Sequence, residues 1–432
     1  MNIAKFQNLN FKIVINFLLL LLPISFIAGN LIINLNIALI ILTSLFYWKK
    51  EFFKIKLNFI DKLLIILFFF VIVTSSINFN NFLTNDVSRA KENFFKSIAF
   101  LRYLLFYLSI RHIIEKDFFD FKIFFLSSSF CIIFVSLDLI LQLHMGADIF
   151  GFPKTPNKLS GPFGDEQIAG SYLQRFSLFS FFLFAFFQKK FDKKFFTPIL
   201  LSLFLLIFFS IIIAGNRMPI VLFIMSFIIL FLLDKELRKF FIISVLSIFI
   251  VFLAIYNFYP QVQNFTNHFL KLAFQIIISF DEIFNNPNVN FKFSNTYLKE
   301  FNLGYLTWKE NIFFGGGINS FGLNCKSILL QHCTSHPHNY YLEALSELGI
   351  TGFVLITTIF IALLYLYFDI KNSFNTNFNQ IIITPFILLF FVEIFPIKTS
   401  GSFFTTGVAS YIFLIISVIV GLSNKIRYDK KN

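Results

Sequence analysis

Apolar runs close to the bilayer-crossing length of about 20 residues follow one another along almost the whole chain. Their positions predict helices near 13–29, 31–47, 62–77, 95–111, 121–143, 172–188, 196–213, 218–233, 239–257, 350–369, 380–396 and 402–422. The breaks between them are short, except for the polar-rich stretch 258–349. The pattern predicts an all-α integral membrane protein of about 12 transmembrane helices. Residues 1–432 then form a single polytopic domain, and 258–349 form a large external loop subdomain carrying short helices. The first run follows Lys5 and Lys12, as in a signal peptide, but no small-residue cleavage site comes after it. It is expected to be a retained first helix.

Within the external stretch, Asn339–Leu348 has the spacing of a short amphipathic helix. Tyr341, Ala344, Leu345 and Leu348 share one face, and Glu343, Ser346 and Glu347 the other. Ser335 is placed to cap it, Pro337 to fix its entry, and Gly349 to stop it in a left-handed conformation. His338 then sits at its first turn, where free N–H groups suit an anion.

Composition and charge narrow the class. A 57% hydrophobic content and a mean hydropathy of +0.77 exclude an ordinary soluble domain. The 71 phenylalanines are expected to be lipid-facing filler. The net charge of +13 lies mainly in alternate loops. The groups are Lys49, Lys50, Lys54 and Lys56; Arg111, Lys116 and Lys122; Lys189, Lys190, Lys193 and Lys194; Lys235, Arg238 and Lys239; Lys371; and Lys425, Arg427, Lys430 and Lys431. This is a positive-inside pattern, so the basic excess encodes orientation and no nucleic-acid partner is expected. Both termini are expected in the cytoplasm, with 78–94, 144–171, the turn 215–219 and 258–349 on the opposite face. Cys325 and Cys333 fall on that face as disulfide candidates, while Cys131 reads as a packing residue.

Arg217, in the turn Gly215-Asn216-Arg217-Met218-Pro219, is costly at a bilayer surface unless an anion or carbonyl compensates it; snorkelling is the alternative. The segment Gly161–Arg175 supplies turn residues, then Asp165 and Glu166, then Arg175. Arg175 suits a second phosphate contact. Glu166 would orient it or an acceptor sugar, or merely brace the loop through a local ion pair. Asp138 and Arg102 are expected to neutralise one another, with Gln142 one turn from Asp138. His336 would assist His338 or cap the helix. Glu343 and Glu347 would orient the imidazole or form a solvated face. His112, His144, His268 and His332 show no partner pattern. Neither a nucleotide loop nor zinc-ligand spacing is present, so no cofactor and no metal are expected.

His338-Asn339, the nine residues Tyr340–Leu348, and Gly349-Ile350-Thr351-Gly352 resemble the signature of the O-antigen ligase and polymerase superfamily. The resemblance implies a metal-independent glycosyltransferase at the periplasmic face of the bacterial inner membrane. It implies an undecaprenyl-diphosphate-linked glycan donor and a lipid A-core or glycan acceptor, among membrane lipids. His338 would be the general base and Arg217, with Arg175, would bind the diphosphate; Asn339 belongs to the motif. A repeat-unit polymerase is the alternative within the superfamily, and a polysaccharide or ion-coupled transporter the alternative outside it. One element departs from the pattern: Phe301–Trp308, ahead of Gly315-Gly316-Gly317, lacks the arginine many such ligases carry. Lys299, Lys309 or Arg175 would have to supply that charge.

Overall fold

A computed structural model describes residues 3–83, 87–155, 158–187, 193–233, 238–258, 296–329, 333–371 and 377–429, with isolated positions at 260, 263–264, 266–267 and 270–271. Most of the predicted external loop before residue 296 lies outside the described residues. So do Lys189, Lys190, Lys235, His268, His332, Lys430 and Lys431.

The helices are α1 (Ile3–Ala28), α2 (Asn30–Trp48), α3 (Phe59–Leu83), α4 (Val87–Phe100), α5 (Arg102–Glu115), α6 (Phe121–Met145), α7 (Ala169–Leu183), α8 (Lys193–Ile213), α9 (Arg217–Leu233), α10 (Arg238–Phe258), α11 (Thr296–Glu310), α12 (Phe321–Leu329), α13 (Tyr340–Lys371), α14 (Asn377–Glu393) and α15 (Thr406–Asp429). Among the described residues, seven spans are long and apolar enough to cross a membrane: 7–28, 30–54, 59–79, 90–115, 121–145, 340–369 and 406–428. Three shorter apolar helices cover 197–213, 217–232 and 381–393. This is the helix content of a multi-pass membrane protein. The predicted helix 95–111 is instead two, parted at Leu101. There the backbone tightens to a Leu101 N–H bond on Ile98 O, and the Arg102 guanidinium takes Ala99 O at 2.8 Å.

The chain forms two compact units. The first comprises 1–36, 118–274 and 376–392. In it α6 packs on α1, α7 and α8. Its interior is a run of phenylalanine rings, with Phe124–Phe179 at 5.1 Å and Phe179–Phe386 at 4.8 Å. Phe124, Phe125, Phe176, Phe179 and Phe386 are fully buried, whereas Phe46, Phe69, Phe130, Phe249 and Phe368 are exposed, so the lipid-facing expectation holds for only part of the phenylalanines. Between helices in lipid there is little hydrophobic drive, so interlocking rings contribute through dispersion and fit. Polar side chains pin the loops. Gln142 donates to Phe152 O at 3.1 Å and accepts Gly161 N–H at 2.9 Å.

The second unit comprises 37–117, 275–375 and 393–432. Here α15 packs on α5, and α13 packs on α3, α11 and α15. A buried polar network lies in this unit. Asn58 and Asp61 cap the start of α3 reciprocally, with Asn58 Oδ1 accepting the Asp61 N–H at 2.9 Å. Asp61 also pairs with Arg111 and accepts the Tyr107 hydroxyl. Arg111 holds Glu115 at 2.8 Å, and Glu115 accepts Asn424 Nδ2 at 2.6 Å. Arg111 is therefore an interior charge with two acidic partners, not one of the orienting loop cations. His112 lies buried against Trp48 with ring centroids 4.3 Å apart. The expected Asp138–Arg102 pair is replaced by local partners: Ile149 N–H on Asp138 at 2.8 Å, and Ala99 O and Tyr103 Oη on Arg102.

Candidate active site

His338 belongs to the second unit, one residue before the cap of α13. Asn339, not Ser335, is the cap: its Oδ1 accepts the N–H groups of Tyr341 at 3.0 Å and Leu342 at 3.2 Å. Its Nδ2 donates to Pro396 O and Lys398 O, tying the helix start to the 394–403 loop. Ser335 Oγ instead meets His336 Nδ1 at 3.0 Å. His338 holds φ 53, a left-handed conformation that costs a non-glycine residue about 1–3 kcal/mol and persists only where neighbours enforce it. Ser400 enforces it. Its N–H donates to His338 O at 2.8 Å, and its carbonyl lies 3.3 Å from His338 Nδ1. A carbonyl can only accept, so this contact puts a proton on Nδ1 and leaves Nε2 as the basic nitrogen of the neutral ring.

Nε2 stands 3.2 Å from Glu300 Oε2 on α11. Glu300 was not among the sequence candidates. It shares a buried helix face with Leu303 and Thr307, an acid at core spacing that could have signalled it. Gly304 on that helix lets it approach closely: a Cβ there would stand 2.9 Å from Pro337 Cβ. Burial pushes the Glu300 carboxyl above its usual range, and the neighbouring His338 pulls it back. His336, whose ring lies 4.3 Å from that of His338, is held down at about 4 by burial and then by His338. It is a neutral neighbour at physiological pH.

Glu343 and Glu347 are buried, which corrects the solvated-face expectation. They hold backbone rather than the imidazole. Glu343 Oε2 accepts Phe403 N–H at 2.7 Å, and Glu347 Oε2 accepts Asn319 N–H at 2.8 Å. Glu347 thereby helps dock the Gly315–Gly317 turn on the helix end, where Gly317 N–H donates to Glu347 O at 2.7 Å. Gly349 breaks α13 with φ 65 and ψ −171, and a Cβ on it would lie 2.4 Å from the carbonyl carbon of Phe313. Both demands fall on one residue. Gly349→Ala is expected to cost more than about 2 kcal/mol, since backbone on both sides must move. The check is its melting temperature and membrane-inserted yield in mild detergent; wild-type values for both would refute the argument.

The first unit carries the other candidates. Asn216 Oδ1 accepts Gly170 N–H at 3.2 Å, and its Nδ2 donates to Gln167 O at 3.0 Å. The 214–216 turn is thus clasped to the start of α7, bringing the two motifs that hold Arg217 and Arg175 together. Arg217 is the first residue of α9 and is half-buried, as is Arg175 within α7. A cation at the positive end of a helix is unfavourable by itself, whereas an anion there is welcomed by both the guanidinium and the free N–H groups. Glu166 is exposed, and its carboxylate makes no ion pair among the described residues, so it does not brace Arg175.

Residues 201–357 match the family model described as O-antigen ligase, a segment that runs from α8 through the first half of α13 and contains both Arg217 and the His338–Gly352 motif. Over those residues the chain is similar to the O-antigen ligase family. No curated protein matches the chain. Arg175 and Glu166 precede the matched O-antigen ligase segment, whereas Glu300 lies inside it.

The matched segment also contains a disulfide between Cys325 and Cys333, with Cα atoms 6.1 Å apart, next to Leu303 and Phe321 in a small buried cluster. Of the lysines proposed for the missing arginine, Lys309 lies over the Tyr305 ring at 4.6 Å, and Lys299 is exposed beside Glu300. Among the described residues no group of three or more His, Cys, Asp or Glu side chains is placed to hold a metal.

Proposed function

We propose that the protein is an O-antigen ligase-like glycosyltransferase. It moves a glycan from an undecaprenyl-diphosphate donor to a lipid A-core acceptor at the periplasmic face of the inner membrane. About 12 helices cross the membrane with both ends in the cytoplasm, so that the His338 loop and the Arg217 turn face the periplasm. His338 takes the proton of the acceptor hydroxyl, which attacks the anomeric carbon. Arg217, assisted by Arg175, receives the charge that grows on the departing diphosphate. The donor arrives activated, so the chemistry asks for neither nucleotide nor metal.

The observation that carries this reading is His338 itself. It is a strained, half-exposed imidazole with an acidic neighbour, inside the segment that matches the O-antigen ligase family. Carriers usually gather their polar site near the membrane midplane, whereas these polar groups collect in one loop segment.

The missing arginine before Trp308 keeps repeat-unit polymerisation as a second reading of the same site. Deleting the gene and resolving the cell's lipopolysaccharide on a gel separates them. Loss of all chains, single repeats included, is the ligase outcome and single-repeat chains the polymerase outcome; unchanged chains would sink both.

A further inference from the structure

The acid beside His338 has no task in the mechanism above. Glu300 is largely buried, its side chain 10% exposed against 30% for His338, and its Oε2, which accepts no hydrogen bond from any other described residue, stands 3.2 Å from His338 Nε2. Leaving a carboxylate oxygen dry and unpaired costs several kcal/mol in general, so such an arrangement calls for a compensating role. Ser400 O occupies the other ring nitrogen. The nitrogen able to take a proton is therefore the one facing Glu300.

We infer that Glu300 is a positioning residue for the transfer, holding His338 through Nε2 and sharing with it the proton taken from the acceptor hydroxyl. The inference rests on the glycan-transfer reading. In the step, the acceptor O–H bond breaks and its proton passes to the His338–Glu300 pair. The acceptor oxygen bonds the anomeric carbon, and the bond from that carbon to the diphosphate oxygen breaks with its electrons leaving on the diphosphate. The pair then returns the proton to the diphosphate or to water. A carboxylate beside an imidazole stabilises the cation that forms midway, as a nearby opposite charge favours the protonated ring. Titratable groups on the elements packed here include Lys299, Tyr305, Lys309 and Glu310 on α11, His336, Tyr340, Tyr341, Glu343 and Glu347 around the start of α13, and Glu393 with Lys398, which pair at 3.1 Å.

The test uses the full-length protein in detergent, with lipid-linked glycan extracted from the deletion strain as donor and that strain's lipopolysaccharide as acceptor. Glu300→Gln is expected to lower kcat by about 10–100-fold with little change in donor KM, and to move the acid limb of the rate to lower pH. Glu300→Asp should recover part of the rate. Combined with His338→Ala, Glu300→Gln should cost nothing further, since residues acting as one unit are not additive. A Glu300→Gln enzyme within twofold of wild type with an unmoved pH profile overturns the inference, as does an additive loss in the double variant. Should Glu300→Gln fail to accumulate, Glu300→Asp carries the pH test. If His338→Ala itself keeps full activity, the base assignment falls, an outcome distinguishable from a failure of Glu300 alone.

Discussion

Replacing His338 with alanine is expected to lower glycan transfer by about 10²–10⁴-fold, the usual worth of a positioned general base, while the protein still inserts and folds. The fold should survive because the side chain is on the rim of the site, 30% exposed, and the backbone contacts of Ser400 and Asn339 do not need the ring. Histidine tolerates φ 53 better than alanine does, so the substitution adds some backbone strain, which the thermal-melting control reads. His338→Gln is the sharper variant: its amide can still donate to Ser400 O but has no basic nitrogen. Transfer is read as disappearance of the lipid-linked donor in vitro, with circular dichroism and thermal melting as folding controls. A His338→Gln enzyme with wild-type kcat would remove the imidazole from the chemistry.

The parts of this molecule legible from sequence were those written as local patterns. Hydrophobic runs placed the helices because a helix in lipid must satisfy its own backbone, leaving side-chain polarity to mark its ends. The His338–Gly352 motif was visible because cap, helix and glycine stop are neighbours in the chain. What sequence hid depends on tertiary contact. Glu343 and Glu347 sit where an amphipathic pattern suggests water, yet protein backbone takes that place, with Phe403 and Asn319 donating to them. Periodicity reports polarity of surroundings and cannot tell a solvent from an N–H group. Glu300 was hidden for a similar reason: its partner lies on another element, and only the packing of α11 on α13 brings them within reach. Arg111 read as a loop cation because Asp61, far earlier in the chain, is what buries it.

The second large effect is expected at Arg217. Arg217→Ala should lower kcat by about 10²–10³-fold, the range seen when a donor to developing negative charge is removed. The reasoning starts from position: the residue opens α9, where the Asn216 clasp fixes the turn and the helix end already offers positive potential. A diphosphate gains charge as the glycosyl bond breaks, so a guanidinium there is worth more in the transition state than in the bound donor. The loss should therefore fall on kcat more than on donor KM. Arg217→Lys retains the charge without the planar fork and should recover only part of the rate. An interfacial, snorkelling arginine predicts something different: a drop in inserted protein with kcat per folded molecule unchanged. Measuring rate against folded enzyme in detergent separates these outcomes. Wild-type turnover in Arg217→Ala would assign the residue to membrane anchoring and leave the diphosphate to Arg175 and the lysines.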